Sequence, residues 1–186
     1  MTVGAVVLCG GKSSRMGTQK AFLTIDGETF LSRTLSQLQD FDEILISAND
    51  TGGDLPAGYP VAADRYPACG PMGGLHAALS LCRSDALLAV ACDMPRLSPA
   101  LPRLLLSHFD SGADAVIPVT ADGRYHPLCA IYRKTLIPIF EEHLRAGKCK
   151  LITALPEDKV RFIPIPAELA SCLCNINTPE EYRALG

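Results

Sequence analysis

A short stretch near the N-terminus combines the residue types that bind phosphate. The apolar run Val3–Leu8 predicts a buried strand, and it is followed by Cys9-Gly10-Gly11-Lys12-Ser13-Ser14-Arg15-Met16-Gly17-Thr18-Gln19-Lys20. Glycines allow backbone N–H groups to approach an anion closely, and Arg15 and Lys20 add two full positive charges. Glycines alone would be more typical of an ordinary turn. Because two cations share a loop that follows a buried strand, we predict that this loop binds phosphate.

The loop matches neither of two well-known phosphate-binding motifs. The P-loop pattern requires a glycine five residues before its Gly-Lys-Ser ending, but Val6 occupies that position relative to Gly11. The dinucleotide fingerprint Gly-x-Gly-x-x-Gly does not occur in this stretch either. The sequence therefore indicates a third kind of phosphate loop.

A carboxylate follows a second buried-type strand. Asp93 comes two residues after the apolar run Ala86–Ala91, which is where open parallel sheets bind ligands. Mg²⁺ beside a triphosphate is commonly held by only one or two carboxylates. Capping of the helix predicted over 99–109 is the alternative role for Asp93. Because Ser98 can provide that cap, we predict that Asp93 is free to bind Mg²⁺.

The loop resembles the signature Leu-x-Gly-Gly-x-Ser-x-Arg-Met-Gly-x-x-Lys of the molybdenum cofactor guanylyltransferases, which belong to a larger nucleotidyltransferase family. The resemblance runs from Leu8 to Glu181. Cys9 is a departure, since the family usually has alanine there. The resemblance implies transfer of GMP from GTP to molybdenum-bound molybdopterin, with release of pyrophosphate and with Mg²⁺ as cofactor. It also implies molybdoenzyme chaperones or other cofactor-biosynthesis proteins as partners.

The resemblance also implies roles for individual residues. Arg15, Lys20 and Asp93 would be catalytic, and Asp93 would hold the metal. The residues expected to bind the nucleotide are Leu8, Cys9, Gly10, Gly11, Lys20, Ser47, Asn49, Asp64, Gly70, Gly74 and Asp93. Those expected near the acceptor or the metal are His126, Asn175 and Asn177. On spacing alone, the glycines of 69–74 could equally form a turn, and Asp64 and His126 could equally be structural residues.

Gly10 bears on the choice of base. Relatives that use CTP commonly have alanine at this position, and the missing methyl group would leave space for the larger purine ring. By resemblance, guanine would lie against residues 8–10, with polar groups supplied by Ser47, Asn49 and Asp64. Other nucleotidyltransferases, acting with CTP on molybdopterin or with a sugar phosphate, remain open. A non-catalytic nucleotide-binding or cofactor-binding adaptor is a more distant alternative.

Composition limits the class of protein. A chain of 186 residues with 48% hydrophobic content suits one domain over 1–186. The net charge of −3 argues against a nucleic-acid partner. No apolar run approaches the ~20 residues that cross a bilayer, and the N-terminal run lacks the cationic start of a signal peptide. The eight cysteines show no zinc-type spacing, so we expect reduced thiols and a cytoplasmic location.

Strand and helix patterns alternate along the chain, which predicts a Rossmann-like three-layer α/β sandwich with a mainly parallel sheet. Further strands are predicted over 43–48, 61–63, 113–119 and 160–165, and helices over 29–38, 75–82, 99–109, 136–144 and 150–155. A short extended segment is predicted over 21–25, with a turn at Asp26-Gly27. Residues 124–132 alternate enough to pair with 113–119 as an antiparallel edge hairpin. Thr178 followed by Pro179 and Glu181 predicts a capped helix start.

Overall fold

The computed structural model describes residues 1–10, 20–49 and 55–185. In these ranges the strands are β1 (Val3–Leu8), β2 (Thr24–Ile25), β3 (Glu28–Thr29), β4 (Ile44–Ser47), β5 (Val61–Ala62), β6 (Ala86–Ala91), β7 (Ala115–Val119), β8 (Cys129–Arg133) and β9 (Val160–Pro164). The α-helices are α1 (Phe30–Ser36), α2 (Gly70–Leu81), α3 (Ala100–Ser107), α4 (Ile137–Arg145), α5 (Leu151–Ala154) and α6 (Pro179–Arg183).

Seven of these strands form one sheet in the order β5-β4-β1-β6-β8-β7-β9. The first four run parallel to one another, and β9 runs parallel to β7. Among the described strands of this sheet, only β8 is antiparallel to both of its neighbours, β6 and β7. The predicted fold class, a mainly parallel α/β sandwich, is confirmed.

The predicted hairpin lies inside the sheet, so its expected edge position is wrong. β9 pairs along β7 and occupies the outer place. Most of β8 is buried, whereas Phe162 of β9 is exposed, and exposure suits an edge strand better than an interior one. The strand also begins later than predicted, at Cys129. Pro127 just before it has no N–H to donate to a ladder.

Side chains from the two faces of the sheet form two halves of the core. Val7 and Val90 pack on one face with α1 and α3, and Val6 and Leu87 pack on the other with α2 and α4. β6 is buried along its whole length, as expected for a parallel strand that is covered on both faces. This is the three-layer arrangement that the sequence predicts.

Two local differences affect the site. Helix α2 begins at Gly70 instead of the predicted Leu75, because Pro71 is pre-set for the first helical turn. Lys20–Phe22 forms a 3₁₀ turn where extended structure was predicted. The predicted turn at Asp26-Gly27 is confirmed, with both φ angles positive at 53° and 80°, and it joins β2 to β3. Among the described residues, no helix has the length and apolar character needed to cross a membrane.

Candidate active site

Three parallel strands end side by side at one edge of the sheet. Leu8 of β1 is in register with Ser47 of β4 and with Ala91 of β6. The residues that follow these strands are Cys9-Gly10, Ala48-Asn49 and Cys92-Asp93. Open α/β sheets bind ligands at this carboxyl edge, so the fold brings these segments to the expected place.

Lys20, Asp93, Asn175 and Asn177 meet at this edge. The Lys20 ammonium lies 2.9 Å from Asp93 Oδ2 and 2.7 Å from Asn177 Oδ1. Asn175 Nδ2 donates to Asp93 Oδ1 at 3.1 Å. The backbone N–H of Ile176 donates to the Asp93 carbonyl oxygen at 2.9 Å. The side chains of Lys20 and Asp93 are only 19% and 13% exposed, so water screens the attraction between their charges only weakly.

The predicted helix cap at Ser98 is wrong, although Asp93 does not cap the helix either. Helix α3 has no side-chain cap, and Ser98 Oγ lies 3.4 Å from Cys172 Sγ. Both Asp93 carboxylate oxygens are used in the cluster with Lys20 and Asn175. These contacts therefore hold the Asp93 side chain at the site, independently of the contact that Ser98 makes.

The oxygens of this cluster fit Mg²⁺. Asp93 and Asn177 each direct one oxygen at the same cation, the Lys20 ammonium, and hard oxygens are the ligands that Mg²⁺ prefers. Among the described residues, no three His, Cys, Asp or Glu side chains are grouped as a metal site. Such a group is not required, because Mg²⁺ is usually held by one or two carboxylates together with substrate phosphates.

The predicted helix start at Thr178 is confirmed, and it positions Asn177. Thr178 Oγ1 accepts a hydrogen bond from the Glu181 N–H, and Glu181 Oε2 accepts from the backbone N–H groups of Asn177 and Thr178. Tyr182 donates its hydroxyl hydrogen to the carbonyl oxygen of Thr24 at 2.5 Å. Helix α6 therefore connects Asn177 to the segment that follows Lys20.

A shallow depression lies on the other side of β1. Its lining consists of Leu8, Gly10, Ser47, Ala48, Asn49, Asp64, Gly70, Pro71 and Gly74. Asn49 Nδ2 donates to Asp64 Oδ2, and the Asp64 N–H donates to Asn49 Oδ1, both at 2.7 Å. Burial raises the pKa of Asp64, and the Asn49 hydrogen bond opposes that rise. Most residues predicted to bind the nucleotide are thus brought together here.

Gly74 allows helix α2 to lie against this depression. A Cβ at Gly74 would collide with Ser47 Oγ and would lie 3.4 Å from Asp64 Oδ1 and 3.5 Å from Ser47 Cβ. Gly70, by contrast, has a positive φ of 58° and open space around it. Close packing is therefore the structural role of Gly74, and backbone conformation is that of Gly70.

We expect Gly74→Ala to destabilise the protein by about 1–3 kcal/mol, the usual cost of overpacking. Ser47→Ala should remove most of this cost in the double variant, because only the serine hydroxyl is in collision. Denaturant unfolding of the two single variants and the double variant forms a thermodynamic cycle. Equal destabilisation of Gly74→Ala with and without Ser47 Oγ would contradict this explanation.

Two predicted nucleotide-binding residues, Cys9 and Gly11, and the predicted catalytic Arg15 need separate comment. Cys9 packs against the core on the α1 side of the sheet, and it is not among the residues that line the depression. The nearby Cys9 thiol, together with burial, raises the pKa of Cys92 well above its usual range. Gly11 and Arg15 lie outside the described residues, so their roles stay predictions.

A cleft of about 640 Å³ opens on the far side of Asp93. His126, Asn175 and Asn177 all line it, as do Arg96 and Arg124. His126 Nε2 lies 3.0 Å from Thr120 Oγ1, and burial, together with the Arg124 charge, lowers the pKa of His126. Neither arginine was predicted from the sequence. Their closeness to Asp93 and His126 along the chain was the available signal.

Known proteins resemble this chain in sequence and in fold. A "probable molybdenum cofactor guanylyltransferase" of Carboxydothermus hydrogenoformans is 34% identical over 185 residues, covering 96% of this chain and 92% of the relative. The molybdenum cofactor guanylyltransferase of Vibrio atlanticus is 31% identical over 185 residues, covering 97% and 94%. The crystal structure of molybdopterin-guanine dinucleotide biosynthesis protein A from Archaeoglobus fulgidus superposes with a TM-score of 0.82 at 26% identity, covering 99% and 96%. The profile of the MobA-like NTP transferase domain matches residues 5–160, so the chain belongs to this family of nucleotidyltransferases.

Proposed function

We propose that this nucleotidyltransferase transfers GMP from GTP to molybdenum-bound molybdopterin and releases pyrophosphate. One observation carries the proposal: three features follow one another along the sheet edge. The depression lies at the ends of β4 and β1, Asp93 follows β6, and the cleft includes residues of the β7–β8 connection. A base, a reacting phosphate and an acceptor would need this linear order.

The depression suits the guanine base. The Asp64 carboxylate is held by Asn49 and can accept hydrogen bonds from the N1–H and amino groups of guanine. Gly10 has no positive φ, and a methyl group there would meet no atom of the described residues within 4 Å. Gly10 is therefore not required for backbone conformation, which favours its role in leaving space beside the base.

The transfer needs orientation and positive charge more than proton transfer. The acceptor is a phosphate that is already ionised near neutral pH, so its oxygen can attack the α-phosphorus of GTP without a general base. The bond to the β-phosphate then breaks, and pyrophosphate leaves with the added negative charge. Preorganised cations stabilise such charge. Lys20 supplies one of them, and Arg15 is predicted to supply another.

Asp93 and Asn177 would hold Mg²⁺ in this site. The ion, when bound, would neutralise charge on the phosphates of GTP. Lys20, now bonded to both oxygens, would then be available to contact a phosphate. His126 needs no proton-transfer role, since it bonds with Thr120 and its lowered pKa favours the neutral form.

The proposal is tested by pyrophosphate release. Release should require GTP, molybdopterin and a divalent metal together, and CTP should support little of it. Release with a sugar phosphate in place of molybdopterin would point to a different nucleotidyltransferase. Tight binding of GTP without any turnover would point to the adaptor alternative. The family's molybdoenzyme chaperones remain the predicted protein partners.

We expect Gly10→Ala to lower kcat/KM for GTP far more than for CTP. An added methyl group in a binding pocket changes discrimination by ~1–3 kcal/mol, or roughly 10- to 200-fold. The melting temperature should change little, because the methyl group meets no atom of residues 1–8, 20–49 or 55–185 within 4 Å. If the ratio of kcat/KM for GTP to kcat/KM for CTP were unchanged, Gly10 would not determine the preference for guanine.

We expect the two arginines that line the cleft, Arg96 and Arg124, to contact the acceptor and not GTP. Neither Arg96 nor Arg124 forms a salt bridge to a described residue, and both are exposed, so both can contact the anionic acceptor. Arg96→Ala and Arg124→Ala should each lower kcat/KM for molybdopterin by ~10-fold, near the lower range for a charged hydrogen bond. KM for GTP should stay unchanged.

Arg145→Ala is the matched control, since Arg145 is exposed and pairs with Glu141 on α4. Equal losses for both substrates would contradict the assignment.

A further inference from the structure

Two cysteines leave the sheet side by side at the site. Cys9 follows Leu8, and Cys92 follows Ala91, which is the register partner of Leu8 across β1 and β6. The ladder continues through this position, because the Cys92 N–H donates to the Leu8 carbonyl oxygen at 3.2 Å. Neighbouring strands lie ~4.8 Å apart. A disulfide requires Cα atoms between ~4.4 and 6.8 Å apart, so the backbone spacing is suitable.

The two thiols also lie on the same face of the sheet. Cys9 and Cys92 both pack in the core half that contains Val7 and Val90, and the nearby Cys9 thiol contributes to the raised pKa of Cys92. Cys92 is 7% exposed, whereas Cys9 is only partly buried. A reagent from solution would therefore meet Cys9 first, with Cys92 directly behind it.

We propose that Cys9 and Cys92 are a reversible modification site, joined as a disulfide when the protein meets hydrogen peroxide. Nothing in the transfer of GMP uses either thiol. Cross-linking keeps the fold and shifts only the two strand ends, since the strands are already hydrogen-bonded neighbours. Its effect on turnover rests on the proposed function, whereas formation of the bond does not.

The chemistry is a two-electron oxidation. The Cys9 sulfur attacks one peroxide oxygen, the O–O bond breaks, and Cys9 becomes a sulfenic acid as one water leaves. The Cys92 sulfur then attacks the Cys9 sulfur, the S–O bond breaks, and a second water leaves. Two thiols are oxidised to one disulfide and one peroxide is reduced to two waters. A dithiol reductant reverses the reaction by exchange.

Formation of this bond would disturb the catalytic geometry. Cys9 precedes Gly10, which lines the depression, and Cys92 precedes Asp93. Drawing the two sulfurs together moves the backbone from which both features depart. Because a displacement of ~1 Å can cost ~100-fold in rate, we expect the oxidised protein to lose activity by about that factor.

Peptide mapping tests the bond directly. The full chain is treated with hydrogen peroxide, alkylated without reduction and digested with trypsin. Cleavage after Lys12, Arg83 and Arg96 yields peptides 1–12 and 84–96, each with a single cysteine. We expect these two peptides to be joined, with a mass two hydrogens below their sum, and to separate on reduction. Alkylation marks thiols that peroxide has left reduced. If Cys9 and Cys92 were both alkylated although the other accessible thiols had been fully oxidised, the proposal would be overturned.

The activity measurement uses ratios within each variant. Turnover after peroxide is divided by turnover of the same sample after reduction, for the native chain, Cys92→Ala and Cys149→Ala. Cys149 is the matched control, because it and Cys69 pack against the other core half as a second thiol pair, in which the Cys149 thiol and burial raise the pKa of Cys69 to about 11. We expect Cys92→Ala to be protected and Cys149→Ala to be as sensitive as the native chain. The reverse pattern would overturn the assignment to Cys9 and Cys92.

Discussion

Asp93→Asn should lower turnover by about 1,000-fold, at the upper range for loss of one preorganised electrostatic contact. Asparagine keeps the shape of the side chain and one acceptor oxygen, but it removes the charge that would hold Mg²⁺. The fold should survive, because Ile176 bonds to the backbone carbonyl of Asp93 and not to its carboxylate. We therefore expect a native melting temperature together with a loss of kcat.

Titration of activity with Mg²⁺ separates the metal role from a structural role. The variant should need far more Mg²⁺ than the native protein to reach its own maximal rate. Asp40→Asn is the matched control, since Asp40 is exposed and pairs with Arg103 away from the site. Near-native activity of Asp93→Asn at limiting Mg²⁺ would rule out the metal role.

Lys20→Ala should reduce kcat/KM for GTP by about 100-fold, the effect of removing one positive contact from a charged transition state. Its ammonium is held between Asp93 and Asn177 at 2.9 and 2.7 Å, next to the place proposed for the triphosphate. Guanosine has no phosphates, so its binding should be unaffected. Lys148→Ala, which removes an exposed lysine elsewhere, should behave as the native protein.

The comparison of GTP with guanosine is decisive for Lys20. If guanosine binding fell as far as GTP binding, Lys20 would be supporting the fold through its contact with Asn177. Lys20→Arg adds a second criterion, because it keeps the charge but changes its shape. Partial recovery of kcat in this variant would support an electrostatic role.

The strands of the site were predictable because short, continuous apolar runs are typical of buried strands. Val3–Leu8 and Ala86–Ala91 are continuous apolar runs, and both are strands with the predicted bounds. The start of α2 was not predicted, since glycine disfavours helix in general and only Pro71 indicated the first turn. The place of the β7–β8 hairpin inside the sheet depends on the pairing of β7 with β9, which is distant from β7 in sequence.

The site itself was predicted in part. Residue type and position predicted Lys20 and Asp93, and resemblance added Asn177. Their hydrogen bonds join segments 73 and 157 residues apart, a convergence that only the fold determines. Arg96 and Arg124 were missed because exposed arginines have no local pattern that separates a ligand contact from a solvated charge. The tight fit of Gly74 against Ser47 depends on the distance between a helix and a strand end, which sequence spacing does not report.

The identity of the product tests the central claim most directly. The protein is incubated with Mg²⁺, molybdopterin and each of the four nucleoside triphosphates in turn, and the pterin product is measured by mass spectrometry. We expect a product heavier by one guanylyl group with GTP alone, together with pyrophosphate, and no such product from Asp93→Asn. A cytidylyl product with CTP, or unmodified molybdopterin with all four nucleotides, would contradict the proposed guanylyl transfer.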